Sequence, residues 1–402
     1  VVVGGGVMGS AAARALSRHQ GVHVSLLDAG QPFRSSWGES RIARLSQVDE
    51  LHLLMMRRAK QLWDEVSAET GRMLLKQTGM LDVGRVTDPY LCAVADTYER
   101  CGVEYETFST PEALSERFPQ LSPQGQEGGL FCREGWVVLA CSCLEALTDS
   151  FAARPGTVLV ENDEVVAIDR QLRMVHTEDG QSLPYDRLVL CCGPWMNAVL
   201  ARASPALAPL PLYVTAEQQV YFAPHTEPPS DPTVYSWDAL PVMIDREASV
   251  YAVPHVEGGV AGLKIGQHRV GPVVANDNEH VLAPQTPLPE FLQGREVAPS
   301  LPCDLHEGPA EVCREWAAAH MPGVDSRSVL HSYRCMYTMT PDLTFVVGAH
   351  PDDPTRIAVA CGFSGEGYKF APVIGEALAH IALGLPEPVP GMNARFDPIR
   401  FF

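Results

Sequence analysis

The segment Val1-Val2-Val3-Gly4-Gly5-Gly6-Val7-Met8-Gly9 restricts the fold more than any other part of this chain. A β-branched apolar run ends in glycines at positions 4, 6 and 9, and Ser10 to Arg18 continues as an Ala-rich stretch of high helix propensity. Gly21 follows, and Val22–Leu27 reads as a second strand ending at Asp28, nineteen residues past Gly9. Strand, GxGxxG turn, helix, strand and acid in that order form a dinucleotide-binding unit. Gly4 permits the tight turn, Gly6 lets the backbone approach a pyrophosphate, and Gly9 lets helix and strand pack. Phosphates then rest on the helix N-terminus, beside Val7 and Met8, where unpaired N–H groups and the macrodipole favour anions. Asp28 is placed to accept hydrogen bonds from a ribose. An α/β fold of the Rossmann type is therefore expected.

A second unit of the same kind closes the chain. Arg356–Cys361 reads as a strand running into Gly362-Phe363-Ser364-Gly365-Glu366-Gly367. A helix over Ala371–Leu383 follows, with Pro372 in its first turn and Gly384 just past its end. Lys369 adds a full positive charge to the partial one of a helix N-terminus. A flavin needs that combination, because hydride uptake collects negative charge at N1 and the C2 carbonyl. Nicotinamide has no matching need, since hydride transfer leaves it neutral. In between, Leu188–Cys192 is a short apolar strand ending in Gly193-Pro194-Trp195, the shape of another strand edge touching the same cofactor. Val165, in the Glu164–Ile168 strand, is assigned to the cofactor as well.

Leu51–Gly71, Cys92–Gly102, Glu112–Phe118 and Leu139–Ala153 read as helices, and Lys76–Val83 as strand. From Pro205 to Pro302 proline, aromatics and short strands replace any long helical period, which marks a mainly β unit. The expected organisation is a discontinuous nucleotide domain from residues 1–75, 145–212 and 335–402. A mainly antiparallel β substrate domain, from residues 76–144 and 213–334, is inserted into it. The 402-residue length exceeds the size at which single cores stop growing, about 250–300 residues. A net charge of -19 disfavours nucleic acid and anionic membrane as partners. No apolar run approaches the about 20 residues of a membrane span. Eleven cysteines, scattered without CxxC or zinc spacing, point to a reducing compartment, the cytoplasm, and to no metal site.

The block Cys335-Met336-Tyr337-Thr338-Met339-Thr340-Pro341-Asp342, followed by Gly362-Phe363-Ser364-Gly365-x-Gly367-Tyr368-Lys369-Phe370, resembles the monomeric sarcosine oxidase family. That family includes peroxisomal sarcosine/pipecolate oxidase and N-methyltryptophan oxidase. Ser36-x-Gly38-x-Ser40-Arg41-Ile42-x-Arg44 and Gly262-Leu263-Lys264-Ile265-Gly266-x-His268 match further segments, in order along nearly the whole chain. The resemblance implies a two-domain, glutathione-reductase-like FAD protein whose β domain roofs the flavin. It implies oxidation of a secondary amino acid: hydride equivalents leave the C–H next to nitrogen, the imine hydrolyses, and dioxygen is reduced to hydrogen peroxide. The partners are then a small amino acid and O2, in a state compatible with a monomer. FAD would be covalent, through an 8α-S-cysteinyl link to Cys335 beside Met336, with Arg334 next door to hold the thiolate.

By the same resemblance Lys264 is the oxygen-activating ammonium near the flavin. Lysine is scarce, at four of the 30 basic residues, yet two of the four fall in flavin-facing motifs. Arg44 and Lys369 match the pair that holds the substrate carboxylate, one as a bidentate fork and the other as a point charge. Arg41 matches an arginine near the ring, with the Ser40 hydroxyl beside it and Ser36 in the same segment. His268, Tyr251 and Met243 fall at pocket-lining positions. Without the resemblance, Arg41 and Arg44 are equally two solvated charges at i, i+3 of a helix.

Two positions depart from the family pattern. Trp37 stands where Ser-Ser-His-Gly is usual, and Glu366 where Gly-His-Gly is usual. Trp37 would stack on the ring or narrow the entrance; Glu366 would receive a substrate cation or pair with a nearby arginine. Together they favour an amino acid larger than sarcosine. Three alternatives remain open: another amine, such as a fructosyl amine or an imino acid of a secondary pathway; an acceptor other than oxygen, against which Lys264 argues; and a flavin-binding protein without turnover.

Overall fold

The computed structural model describes residues 1–31, 34–225, 232–274, 297–298 and 307–402. The parts of the expected Pro205–Pro302 stretch that fall on 226–231, 275–296 and 299–302 lie outside the described residues.

Among the described residues the N-terminal run enters a six-stranded sheet. Val2–Val3 lies between Val24–Asp28 and Leu188–Leu190, and Ile357–Cys361 lies beyond the latter, all parallel. Thr157–Glu161 extends one side in parallel, and Val346–Ala349 closes the other side antiparallel. Both faces are covered, which is why the central strands are almost wholly apolar. One face packs against the helices Val7–Ser17, Glu50–Thr70, Ala140–Ala152 and Ala371–Leu383. The other packs against a small sheet that contains Val165–Asp169 and Met174–Thr177.

Local signals set the element ends. Asp49 accepts from the His52 N–H at 2.9 Å and opens Glu50–Thr70, and Gly71, at φ 69°, closes it. Gly4 has φ +102°, and a Cβ on Gly9 would overlap the Gly4 carbonyl oxygen. Close approach of helix and strand thus requires glycine at both places.

The roof is a ten-stranded sheet built on the long antiparallel pair Tyr213–Pro224 and Val324–Met339. Leu263–Gln267, Val250–Val253, Val242–Asp245, Met80–Gly84 and Gly128–Cys132 continue it in that spatial order. The far side of this sheet packs on the helix Glu307–His320. A three-stranded sheet of Ser40–Arg44, Gly135–Leu139 and Leu75–Gln77 packs against the roof through Ile42, Val137 and Val242. Arg41 and Arg44 therefore sit on a strand, not on a helix. Pairing with Gly135–Leu139 overrides the weak i, i+3 signal. Among the described residues no helix is long and apolar enough to cross a membrane.

Candidate active site

A cavity of about 510 Å³ opens where the parallel sheet meets the roof. Its lining includes Gly4, Gly6, Val7, Met8, Asp28, Gly193, Trp195 and Gly362, all at or just past the carboxyl ends of parallel strands. Ligands of open α/β sheets bind in that crevice. Val165, Ser36, Ser40, Met336, Phe363, Gly365 and Gly367 complete the cofactor positions expected from the sequence that line it. The Ser36 hydroxyl accepts from the Val7 N–H at 2.9 Å, at a helix start that has no cap of its own. Asp28 accepts from Arg34 at 2.6 Å.

The roof side and the Gly362–Gly367 turn supply the charged residues. Arg41, Arg44, Tyr251, Lys264, His268, Glu366 and Lys369 all reach this one cavity. Lys264, Arg44 and Lys369 are 2%, 4% and 5% exposed. Lys264 Nζ donates to the Ser40 carbonyl at 2.6 Å and lies 3.2 Å from the Tyr333 hydroxyl. Burial, reinforced by Arg41, pushes the Lys264 ammonium well below its usual pKa. Arg41 Nη2 donates to the Ser35 carbonyl at 3.1 Å and also to the Trp37 carbonyl, and its guanidinium lies 5.5 Å from the Tyr368 ring.

Glu366 gathers four partners. Arg269 Nη2 donates to it at 2.8 Å, and Lys369 Nζ, Arg44 Nη2 and His268 Nε2 lie at 3.7, 3.8 and 3.8 Å. Burial alone would raise its pKa, but Lys369, His268, Arg44 and Arg269 together hold it well below the carboxylate range. Lys369 is lowered to about 7, first by burial and then by Arg44 and Arg269, against the pull of Glu366. Burial likewise lowers His268. Of the two roles open to Glu366 in the sequence, the geometry matches pairing with an arginine. That arginine, Arg269, also donates to the Ser364 carbonyl at 2.9 Å and ties the roof to the glycine turn.

Four expected residues do not line the cavity. Gly9 stands behind the turn, where its role is helix–strand contact. Met243 is fully buried in the roof core with Leu81 and Phe131, because strand alternation gives the cavity side to its neighbour Ile244. Trp37 is 51% exposed and outside the lining, so it does not stack within the cavity; its carbonyl accepts from Arg41. Cys335 is 2% exposed and sits behind Gln219, a lining residue whose Nε2 donates to Sγ at 3.3 Å. Burial raises the Cys335 pKa, while Arg41 and Lys264 lower it. Arg334 pairs opposite Gln218, so period-two alternation sets it on the other face from Cys335.

Several lining residues are not singled out by the sequence. Tyr337, in the Cys335 block, lines the cavity and packs edge-on to His268 at 5.7 Å. Tyr90 and Arg246 also line it, with the guanidinium 4.0 Å from the ring centroid and paired to Asp82. Met336, Tyr337 and Thr338 line the cavity in succession, so strand alternation does not select Tyr337, and long-range packing brings in the others.

The lining fits a flavin dinucleotide. The glycine turn presents first-turn N–H groups to a pyrophosphate. Among the described residues, Thr338 Oγ1 and Gln219 Oε1 are buried polar atoms without a hydrogen-bond partner, and both residues line the cavity. A polar ring edge would satisfy them, and an apolar ligand would not.

Comparison with known proteins agrees with this geometry. The family model described as FAD dependent oxidoreductase matches residues 1–381. The monomeric sarcosine oxidase of Streptomyces avermitilis is 30% identical, across 95% of this chain and 93% of that protein. The peroxisomal sarcosine oxidase of Mus musculus is 27% identical, across 99% of this chain and 96% of its own. In fold, the L-proline dehydrogenase of P. horikoshii superposes with a TM-score of 0.77 at 21% identity, over 100% of this chain and 96% of that one. From glycine turn to roof, and along almost its entire length, the chain belongs to the FAD-dependent oxidoreductase family, in its monomeric sarcosine oxidase group.

Proposed function

We propose that this chain is a FAD-dependent oxidase of a secondary amino acid, N-alkyl or cyclic, that converts the C–N bond to an imine and passes the electrons to dioxygen, giving hydrogen peroxide. One observation carries the reading: two buried cations, Arg44 and Lys369, share a cavity with a third, Lys264. The domain division read from the sequence, 1–75, 145–212 and 335–402 against 76–144 and 213–334, is retained, supported by the membership of the two large sheets except at 335–339, which the strand Val324–Met339 carries into the roof, and at Ser40–Arg44, which pairs with Gly135–Leu139. A reducing, cytoplasmic location is supported by the cysteines, which are free thiols at every described position, and a monomer by the likeness to the monomeric sarcosine oxidase of Streptomyces avermitilis.

Gly4, Gly6 and Ser36 would hold the pyrophosphate of FAD, Asp28 a ribose, and the Gly362–Gly367 turn the ring. When bound there, FAD supplies the two-electron acceptor for the hydride equivalent next to nitrogen. The guanidinium fork of Arg44 and the ammonium of Lys369 fix the substrate carboxylate and so orient that C–H. Tyr90, Ile244 and Tyr251 wall the cavity and exclude water. Glu366, held ionised by its four partners, is no acceptor for the amine proton at neutral pH and offers no free place for a substrate cation. We therefore favour N-alkyl or cyclic amino acids without a second ammonium. The Lys264 ammonium stabilises the anion formed when dioxygen takes its first electron, an effect magnified in a dry site.

Anaerobic mixing of the yellow protein with an amine panel tests the reading. Pipecolate and N-alkyl amino acids without a second ammonium should bleach the flavin faster than dibasic ones. The limiting rate should rise with alkaline pH, because only the neutral amine has a lone pair to assist. KM should rise once the pH passes about 7, where free Lys369 loses its charge. A panel that never bleaches the bound flavin, or a rate flat from neutral to alkaline pH, would sink the assignment.

The flavin link to Cys335 has its own check. Acid precipitation of the unaltered protein should leave the yellow pigment in the pellet, and Cys335→Ser should release all of it to the supernatant. Pigment in the supernatant from both proteins would exclude the thioether.

A further inference from the structure

The roof face that meets Lys264 carries a side chain to which the chemistry above gives no task. Tyr333 precedes Cys335 by two residues on Val324–Met339, so its ring lies on the same face as Cys335 and Tyr337. Its hydroxyl oxygen is 3.2 Å from Lys264 Nζ and 3.4 Å from Arg41 Nη1, where it accepts from both cations. Among the described residues the other acceptors of the Lys264 ammonium both belong to Ser40, its carbonyl at 2.6 Å and its hydroxyl at 3.4 Å. Tyr333 is thus the contact that holds the ammonium from a second direction. Gly38 makes room for it: at φ +109° it lies against the phenol, and a Cβ there would overlap the hydroxyl. Tyr221 and His331 brace the ring, at centroid distances of 6.2 and 5.9 Å.

We infer that Tyr333 is a positioning residue for Lys264, its hydroxyl fixing the ammonium at the cavity wall and favouring the charged form. This deepens the reading of Lys264 as the oxygen-facing cation and rests on it. The charged and titratable groups around Lys264 pull in both directions. Burial and Arg41 disfavour its charge, while Cys335 and Glu39 favour it, and the rings of Tyr221 and Tyr333 lie 6.0 and 5.6 Å away. A hydroxyl that accepts from the ammonium pairs only with the protonated state, so it works against burial.

Tyr333→Phe removes the hydroxyl and keeps the ring against its braces. With only four lysines in the chain, ¹³C-lysine labelling of the FAD-loaded protein gives a spectrum in which the Lys264 signal is assigned by its loss in Lys264→Met. In Tyr333→Phe the titration midpoint of that signal should fall by about one pH unit, the size expected for one lost hydrogen bond to a charged group. Tyr333→Gln, which offers a carbonyl acceptor in the same place, should recover part of the shift and serves should the Phe variant fail to fold. A midpoint unchanged in Tyr333→Phe, or restored no better by Gln than by Phe, overturns the inference. The reading of Lys264 is judged separately by kinetics. Should Lys264→Met reoxidise normally, that reading fails even where the midpoint moves. Should it hold, Tyr333→Phe reoxidises about tenfold more slowly with its anaerobic reduction unchanged.

Discussion

Lys264→Met leaves reduction by the amine near its original rate and slows reoxidation by dioxygen by about 10²–10³-fold, the loss typical when one preorganised charge-stabilising group is removed. Methionine fills nearly the same volume, so the roof packing around Leu263–Gln267 is preserved. The fold should tolerate the change. A buried ammonium next to Arg41 is a burden on the native state, and its removal relieves both the desolvation and the repulsion. Stopped-flow measurement of the two half-reactions separates the outcomes. Equal losses in both would remove the oxygen-facing role, and no loss in either would make the lysine a packing residue.

Arg44→Met lowers kcat/KM by about 10²–10³-fold, the cost of removing one partner of a buried, hydrogen-bonded ion pair with the substrate carboxylate. Glu366 keeps Arg269 and Lys369, so the turn stays ion-paired. The same variant has a signature in pH. Arg44 is one of the charges that depress Lys369, so without it the Lys369 pKa moves up from about 7. A raised pKa means the ammonium persists to higher pH, and the alkaline rise in KM shifts the same way. A KM limb that stays in place would show that the two cations do not share one site.

Much of this protein is legible before folding because its cofactor unit is local. The Gly4–Gly9 turn, the Asp28 acid and the Gly362–Gly367 turn each declare themselves within a few residues, and the Ala371–Leu383 helix follows residue for residue from its proline and glycine signals. What fails is whatever depends on which face of a strand a residue takes. Ser40–Arg44 carries no alternation clear enough to distinguish it from a charged helix start. At Met243 a shift of one residue moves the wrong side chain into the cavity. Arg334 is adjacent to Cys335 in sequence yet opposed to it in space, whereas Arg41, which does act on the thiol, comes from the other end of the chain. Arg269 and Tyr333 are invisible for the same reason, since their partners Glu366, Arg41 and Lys264 lie on separate elements.

The strand order of the parallel sheet bears on how the protein is made. Val2–Val3 is flanked by Leu188–Leu190, and that strand in turn by Ile357–Cys361. A ribosome that releases about 5–20 residues per second emits Val2–Val3 and its glycine turn long before Ile357–Cys361 and the Gly362–Gly367 turn. During that interval the crevice lacks one of its walls and cannot close over a dinucleotide. Riboflavin supply therefore acts on chains already extended past Gly367, and its shortage should leave them to chaperones and proteases instead of stalling translation.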